Sequence, residues 1–470
     1  MSKRVHAFQE DALGDSDATA LAERLRRGEV SGREVVEASI RRFESIDGSL
    51  HPLVLRDFEA ALERGEKPSD QGPFAGVPSL IKDNQALAGF PTGFGSAAVV
   101  EARVAREDSV FVSHYLGLGF NNLGKSRLPE FGISCSTEPP GGPPVPNPWD
   151  TRYSAGGSSS GSAACVTSGG VPMAHGNDGG GSIRIPAACC GLVGLKTTRG
   201  RHPLSPESKR MPINILSEGV LTRSVRDTAV FWEHMEKRYR NPALAEIGRV
   251  EAPGRRLRIG VITTSVTANE TDPEVVASIH QCARQLEAAG HTVFEKQLAI
   301  PRNFADDFIL YYALLALFLS QIGTSAIAKV WDPDRLERFT TGLASHCKRN
   351  LLRLPGSLWR LRRCDRAYAS LFEDCDVTLT PALSSPPSEL GYLDPGQPYE
   401  AMIENLSTYA NFTPLANAAG APALSVPFGT SSQGLPIASH FFGKHGDERT
   451  LLELAFEIES LRPFARIQDN

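Results

Sequence analysis

The sequence is poor in the features that mark a secreted, membrane-spanning or metal-stapled protein. Residues Met1–Glu10 mix Lys3, Arg4, His6 and Glu10 with few apolar side chains, so no secretory signal is expected. The longest apolar run, Phe308–Leu319, contains two tyrosines and falls short of the roughly 20 residues of a membrane span. A core helix is expected there, and no membrane partner. Eight cysteines (Cys135, Cys165, Cys189, Cys190, Cys282, Cys347, Cys364 and Cys375) form no C-x-x-C pair and have no histidine at metal-ligand spacing. The expectation is buried thiols in a reducing cytoplasm, with neither a disulfide scaffold nor a metal site. A net charge of −5 leaves no footprint for nucleic acid or an anionic membrane. Lys and Arg are dense only at Arg24–Arg27 and Lys348–Arg363, each read as a solvated helix face.

What remains is a chain of ordinary globular composition, 41% apolar and 22% charged. Its 470 residues can bury a large core, and length alone suggests two or three domains. The most unusual stretch is Ser154–Gly200, where two Gly/Ser clusters flank an Ala-rich segment suited to a helix. Glycine is costly to order, so such clusters imply unusual dihedrals or close backbone approach. A flexible linker is the alternative. It fits poorly, because Ile183, Ile185, Pro186, Ala187, Leu192, Val193 and Leu195 follow at once. A buried, glycine-walled site is expected.

Around it, helices are expected at Asp17–Arg27, Ser31–Ser45 (with Glu34 completing a capping box), Phe58–Arg64 and Ser109–Leu118. Strands are expected at His51–Leu55, Phe120–Gly124 and Gly219–Thr222, with an exposed helix at Ser224–Arg238. Asn241–Arg256 reads as a polar, linker-like boundary. Leu257–Thr263, Asp272–Ala289 and His291–Phe294 then follow a β-α-β order, which suggests a parallel or mixed sheet with covering helices. Residues 303–375 read as largely helical, broken near Asp332-Pro333 and Pro355-Gly356. Val377–Pro381 and Ala423–Pro427 suit buried strands, and Leu451–Ser460 a closing helix.

The chemistry concentrates in Asp178-Gly-Gly-Gly-Ser182-Ile-Arg184. Three glycines before a serine let successive backbone N–H groups point at one spot, which suits a developing oxyanion, with Ser182 as the nucleophile. His175 has no reason to reach Ser182 from seven residues upstream on the same segment, and no G-x-S-x-G elbow is present. It reads as structural. A serine without histidine needs another base, and a desolvated neutral lysine is one. Lys82 follows the short apolar run Ser79–Ile81, which would turn it inward.

G-V-P-S-L-I-K-D-N (Gly76–Asn84), G-K-S-R-L-P-E-F-G (Gly124–Gly132), N-P-W-D (Asn147–Asp150), G-G-S-S-S-G-S (Gly156–Ser162) and D-G-G-G-S-I-R-I-P-A-A-C-C-G-L-V-G-L-K (Asp178–Lys196) occur in one order. Together they resemble the amidase signature family across residues 70–230, with weaker matches at Ala419–Phe428 and Gly434–Ala438. The resemblance implies one α/β domain over residues 1–470, a central mixed β-sheet covered by helices on both faces, with residues 257–470 completing sheet and pocket. It also implies a Ser–cisSer–Lys triad: Ser182 as nucleophile, Ser158 as bridge 24 residues earlier, and Lys82 as base. Gly179, Gly180, Gly181 and Ser182 would supply the oxyanion amides, and Cys135 and Ser136 would line the substrate pocket. No cofactor is implied. The partner would be a small uncharged amide, linear, aryl or cyclic, and relatives are often dimers.

This chain departs from the family at Ser160 (usually glycine), Gly179 (usually Thr or Ala) and Thr197 (usually Pro). His175-Gly176-Asn177 resembles the branch that includes 6-aminohexanoate cyclic-dimer hydrolase. Two other readings stay open at this point. A glutamine-hydrolysing amidotransferase subunit would normally carry P-T-Y-G where this chain has Thr197-Thr198-Arg199-Gly200. An inactive binding protein on the same fold would have no reason to keep Lys82, Ser158 and Ser182.

Overall fold

The β-branched and apolar runs after residue 170 assemble into one eight-stranded sheet. A computed structural model describes residues 4–469 apart from 68–70, 268, 299, 302 and 324–326. The sheet runs in the order Thr292–Glu295, Arg258–Val261, Val377–Pro381, Pro436–Gly443, Ala423–Thr430, Val193–Lys196, Ser217–Thr222, Met173–Asp178. Arg258–Val261 pairs in parallel with both of its neighbours, as the β-α-β order predicts, and the other pairings are antiparallel.

Side chains alternate between the two faces of this sheet, and both faces are covered. Met173, Val220, Leu424 and Phe441 pack on one face against Trp232, Ile279 and Leu451. Ala174, Leu221 and Ala438 turn to the other, against Ala163, Ala164, Ile185 and Ala187. On that face the small residues let the helices Ser160–Thr167 and Arg184–Cys190 approach closely enough to bring their N-terminal ends together.

A second sheet places the lysine. Its order is Leu53–Arg56, Asn121–Ser126, Pro78–Lys82, with Lys82 opposite Ser126. The Pro78–Lys82 strand lies against the edge of the large sheet, where Ser79 Oγ donates to Met173 O (2.9 Å) and Lys82 N–H donates to His175 Nδ1 (3.2 Å).

Several local expectations change in the fold. Helix Val225–Arg238 is half-buried, because Val225, Phe231, Trp232 and Met235 fall on one face against the sheet. The polar stretch Asn241–Arg256 has no helix or strand, yet Leu244, Ile247 and Val250 are buried and Glu236 accepts from Ile247 N–H (2.9 Å). It is strapped to the body rather than a hinge. Pro355 stands in the first turn of helix Leu354–Arg362, where its missing N–H costs nothing, so it begins a helix instead of breaking one. Within the stretch expected to be helical, Ala328–Trp331 forms a two-stranded ribbon with Val99–Ala102, and 324–326 lie outside the described residues. Helix Tyr399–Tyr409 and strand Pro436–Gly443 had no sequence expectation.

Candidate active site

Lys82 ends its strand with its side chain fully buried. Its Nζ lies 2.8 Å from Ser158 Oγ, 3.0 Å from Ser159 Oγ and 2.6 Å from Asn177 Oδ1. Ser158 follows a cis Gly157–Ser158 peptide just before helix Ser160–Thr167. Asn177 and Asp178 end the edge strand Met173–Asp178. Burial pulls the lysine pKa down to about 7, against the opposing charges of Glu218 and Asp178. Both carboxylates are already engaged. Glu218 accepts from His175 Nε2 (3.0 Å) and Gln85 Nε2 (2.9 Å), and Asp178 is held by Arg184.

His175 is a support. Its Nδ1 accepts the Lys82 amide, so its proton sits on Nε2 and is donated to Glu218. Phe111 and Tyr115 stand against its ring, with centroids at 5.4 and 6.0 Å.

The loop carrying Ser182 is organised by a buried ion pair. Asp178 accepts from Arg184 Nε (2.9 Å) and Nη2 (3.0 Å), from Asn417 Nδ2 (2.8 Å) and from the amides of Gly181 (2.7 Å) and Ile183 (3.2 Å). Burial alone would raise its pKa, but the Arg184 guanidinium and these donors hold it well below the usual carboxylate range. Arg184 also donates to Thr413 O (2.9 Å) and Asn417 Oδ1 (2.6 Å), and Thr413 Oγ1 donates to Gly180 O (2.7 Å). At Gly181, φ is +136°, and an added Cβ would stand 2.3 Å from Thr413 Oγ1. Only glycine fits there.

This bracing corrects the oxyanion expectation. The Gly181 N–H is committed to Asp178, which leaves Gly179, Gly180 and Ser182 as the candidate amides. Ser159 Oγ donates to Ser182 O (2.6 Å), tying the lysine cluster to the Ser182 loop. No direct hydrogen bond joins the Ser158 and Ser182 hydroxyls among the described residues. Such catalytic contacts often tighten only around bound substrate.

Ser182 opens onto a cavity of about 80 Å³ walled by Phe304, Phe308, Tyr312, Phe339, Leu343 and Leu406, with Cys135 and Gly180 beside it. None of its lining residues is Asp, Glu, Lys, Arg or His. Cys135 thus lies where the sequence placed it, but burial first, with Cys189 and Asp178 adding, pushes its thiol far up, so it is no thiolate nucleophile. Ser136 is not among the lining residues. Its buried hydroxyl is bonded to Ser154 Oγ and to Glu138 Oε1, both at 2.7 Å. Sequence reasoning missed Ser159, Asn177, Tyr312, Thr413 and Asn417. Asn177 carried a signal, since it stands in the His-Gly-Asn triplet that departs from the commoner pattern.

The Amidase family matches residues 34–452 of this chain. The chain is 48% identical over 468 residues to "Putative amidase AmiC" of Mycobacterium leprae (strain TN), covering 99% of each. It is 32% identical over 489 residues to 6-aminohexanoate-cyclic-dimer hydrolase of Paenarthrobacter ureafaciens, covering 95% of each. Among solved structures, a 6-aminohexanoate cyclic dimer hydrolase complexed with substrate superposes with a TM-score of 0.86 at 30% identity, covering 97% of this chain and 99% of the other. A bacterial aryl acylamidase gives 0.83 at 26% identity, covering 96% of each. The chain belongs to the amidase signature family and is a hydrolase acting on amides.

Proposed function

We propose that the protein cleaves uncharged carboxamides through an acyl-enzyme on Ser182, with Ser158 relaying protons to a neutral Lys82. One observation carries the reading: a fully buried lysine with its pKa near 7 lies 2.8 Å from the Ser158 hydroxyl.

Hydrogen-bond accounting supports the direction of the relay. A neutral amine has two N–H donors and one lone pair. Asn177 Oδ1 can only accept, so it takes one N–H. Ser159 spends its own proton on Ser182 O and therefore accepts the other. The lone pair is left facing Ser158. Ser158 gives its proton to Lys82 and takes one from Ser182, whose oxygen attacks the amide carbonyl. The free amides of Gly179, Gly180 and Ser182 then hold the oxyanion. As the C–N bond breaks, the proton on Lys82 returns through Ser158 to the departing amine. A water then gives a proton to the relay as its oxygen bonds the acyl carbon, and the relay returns that proton to Ser182 Oγ as the acid leaves.

The uncharged, aromatic-rich cavity supports a neutral acyl group. Free glutamine would bring an ammonium and a carboxylate with no oppositely charged side chain on these walls, which disfavours the amidotransferase-subunit reading. The test is hydrolysis across short and long aliphatic amides, benzamide, N-aryl amides, a cyclic diamide and glutamine, with Ser182→Ala as the blank. Turnover of several neutral amides without a partner, lost in the blank while the melting temperature holds, supports the reading. Cleavage of glutamine alone, or full activity of the blank, overturns it.

A further inference from the structure

The basic stretch Lys348–Arg363 is more than a solvated helix face. Three large apolar side chains stand in water within nine residues: Leu351 (51% exposed), Leu352 (99%) and Trp359 (61%). They occupy the turn after helix Arg338–Arg349 and the outer side of helix Leu354–Arg362. Single exposed apolar residues are normal, but a cluster of them contributes nothing to the fold and marks a contact surface.

Along the segment that carries them the charge is one-sided. Lys348, Arg349, Arg353, Arg362, Arg363 and Arg366 are exposed, and Asp365 is the lone carboxylate in the stretch. None of these six cations forms an ion pair among the described residues, whereas Arg33, Arg56, Arg226 and Arg255 elsewhere on the surface each have a carboxylate partner. Arg360, which does pair, turns inward to Asp307. The Arg363 guanidinium lies 4.8 Å from the Trp359 ring centroid, an arrangement that keeps both at one level.

We propose that this turn and helix dock the protein on an anionic lipid bilayer, with Leu351 and Leu352 entering the interface, Trp359 at headgroup depth and the guanidinium groups on lipid phosphates. Apolar tips flanked by an aromatic and several cations suit that boundary. Nucleic acid would gain the cations and nothing from an aliphatic pair. A second copy related by a twofold would set six cations against six with only Asp365 of each copy between them. The net charge of −5 does not oppose docking, because charges more than about 10 Å from the surface are screened at 0.1 M salt. The same layer reaches the cavity: helix Arg338–Arg349 presents Phe339 and Leu343 to it, and Leu361 packs with Phe304 and Phe308. A face at the membrane would put the catalytic cavity one helix from the phase in which apolar amides accumulate.

The experiment is co-sedimentation of the full chain with phosphatidylcholine vesicles containing phosphatidylglycerol, beside pure phosphatidylcholine, read also by tryptophan fluorescence. Trp149 and Trp232 are buried and Trp331 is half-buried, so the exposed Trp359 should contribute most to acrylamide quenching. Binding confined to anionic vesicles, with Trp359 protected and binding weakened by salt, supports the proposal. Arg349→Gln and Arg353→Gln should each weaken it about fivefold, from about 1 kcal/mol per charge. Leu352→Ser should weaken it about tenfold, the low end of what burying a leucine contributes. These side chains are exposed, so the folds of the variants should survive, and their circular dichroism checks that. No binding to anionic vesicles overturns the proposal. So does equal binding to neutral ones, Trp359 protection without vesicles that Leu352→Ser abolishes together with a dimer, or oligonucleotide binding that displaces the vesicles.

Discussion

If Lys82 is the base, kcat/KM for an amide with no titrating group must follow the fraction of neutral lysine. With burial holding the pKa at about 7, that fraction is roughly 9% at pH 6, 50% at pH 7 and 91% at pH 8. The rate should therefore rise about tenfold between pH 6 and pH 8 and level off above. The sign is set by burial, which disfavours the ammonium and outweighs the charges of Glu218 and Asp178, both of which favour it. Removing one opposing charge gives an independent check. Glu218→Gln keeps an oxygen to accept from His175 Nε2 but loses the negative charge, so the midpoint should move to lower pH. The assay is initial rates from pH 5.5 to 9 in buffers of constant ionic strength, with single-turnover rates to separate acylation from product release. A flat single-turnover profile between pH 6 and 8, or a midpoint that Glu218→Gln moves upward, would refute the neutral-lysine base.

Asn177→Leu should lower kcat at least tenfold by freeing the lysine to rotate, given that positioned proton transfer contributes about 10²–10⁴-fold. Asn177→Thr should recover part of the loss, and an Asn177→Leu protein with the wild-type pH profile and rate would remove Asn177 from the relay. Gly181→Ala should cost about 2–5 kcal/mol in denaturant unfolding, combining a left-handed φ with contact against Thr413 and Ile185. Unchanged stability would mean that the loop relaxes freely. Arg184→Met leaves Asp178 buried without its guanidinium, and should cost about 3–5 kcal/mol near neutral pH. Because the folded Asp178 pKa lies below its unfolded value, that pairing stabilises above the unfolded pKa and is lost on acidification below about pH 4. The difference between wild type and Arg184→Met should shrink there. A difference that persists unchanged into acid would argue against the ion pair as its source.

The parts of the site legible in the sequence are those whose signal is local. Lys82 closes an apolar run, Ser158 and Ser182 sit in glycine clusters, and Asp178 and Arg184 are six residues apart on one loop. Parts that depend on distant chain were not legible. Thr413 and Asn417 reach the loop from the far end of the chain, and nothing in their own sequence distinguishes Thr413-Pro-Leu-Ala-Asn417 from an ordinary helix start. Counting glycines could not reveal that Asp178 takes the Gly181 amide, since that depends on where the carboxylate folds back. Ser136 was assigned to the pocket with Cys135, yet its hydroxyl is tied to Ser154 and Glu138 instead. The same limit applies to the fold. The β-α-β unit at 258–295 is local and readable, whereas the ribbon joining Ala328–Trp331 to Val99–Ala102 needs pairing across the chain.

The bracing of the Ser182 loop also has a consequence in time. Arg184 and Asn417 are separated by 233 residues, so a nascent chain exposes every signature motif long before it owns the groups that hold Asp178, Arg184 and Gly180 in place. At about 5–20 residues per second, roughly 10–50 s of synthesis separate the two. During that interval Arg184 lacks its acceptors on Thr413, Asn417 and His440, and a chain released early would carry Lys82, Ser158 and Ser182 without that bracing. Premature termination anywhere before residue 413 should therefore yield protein without hydrolytic activity, measurable on truncated chains.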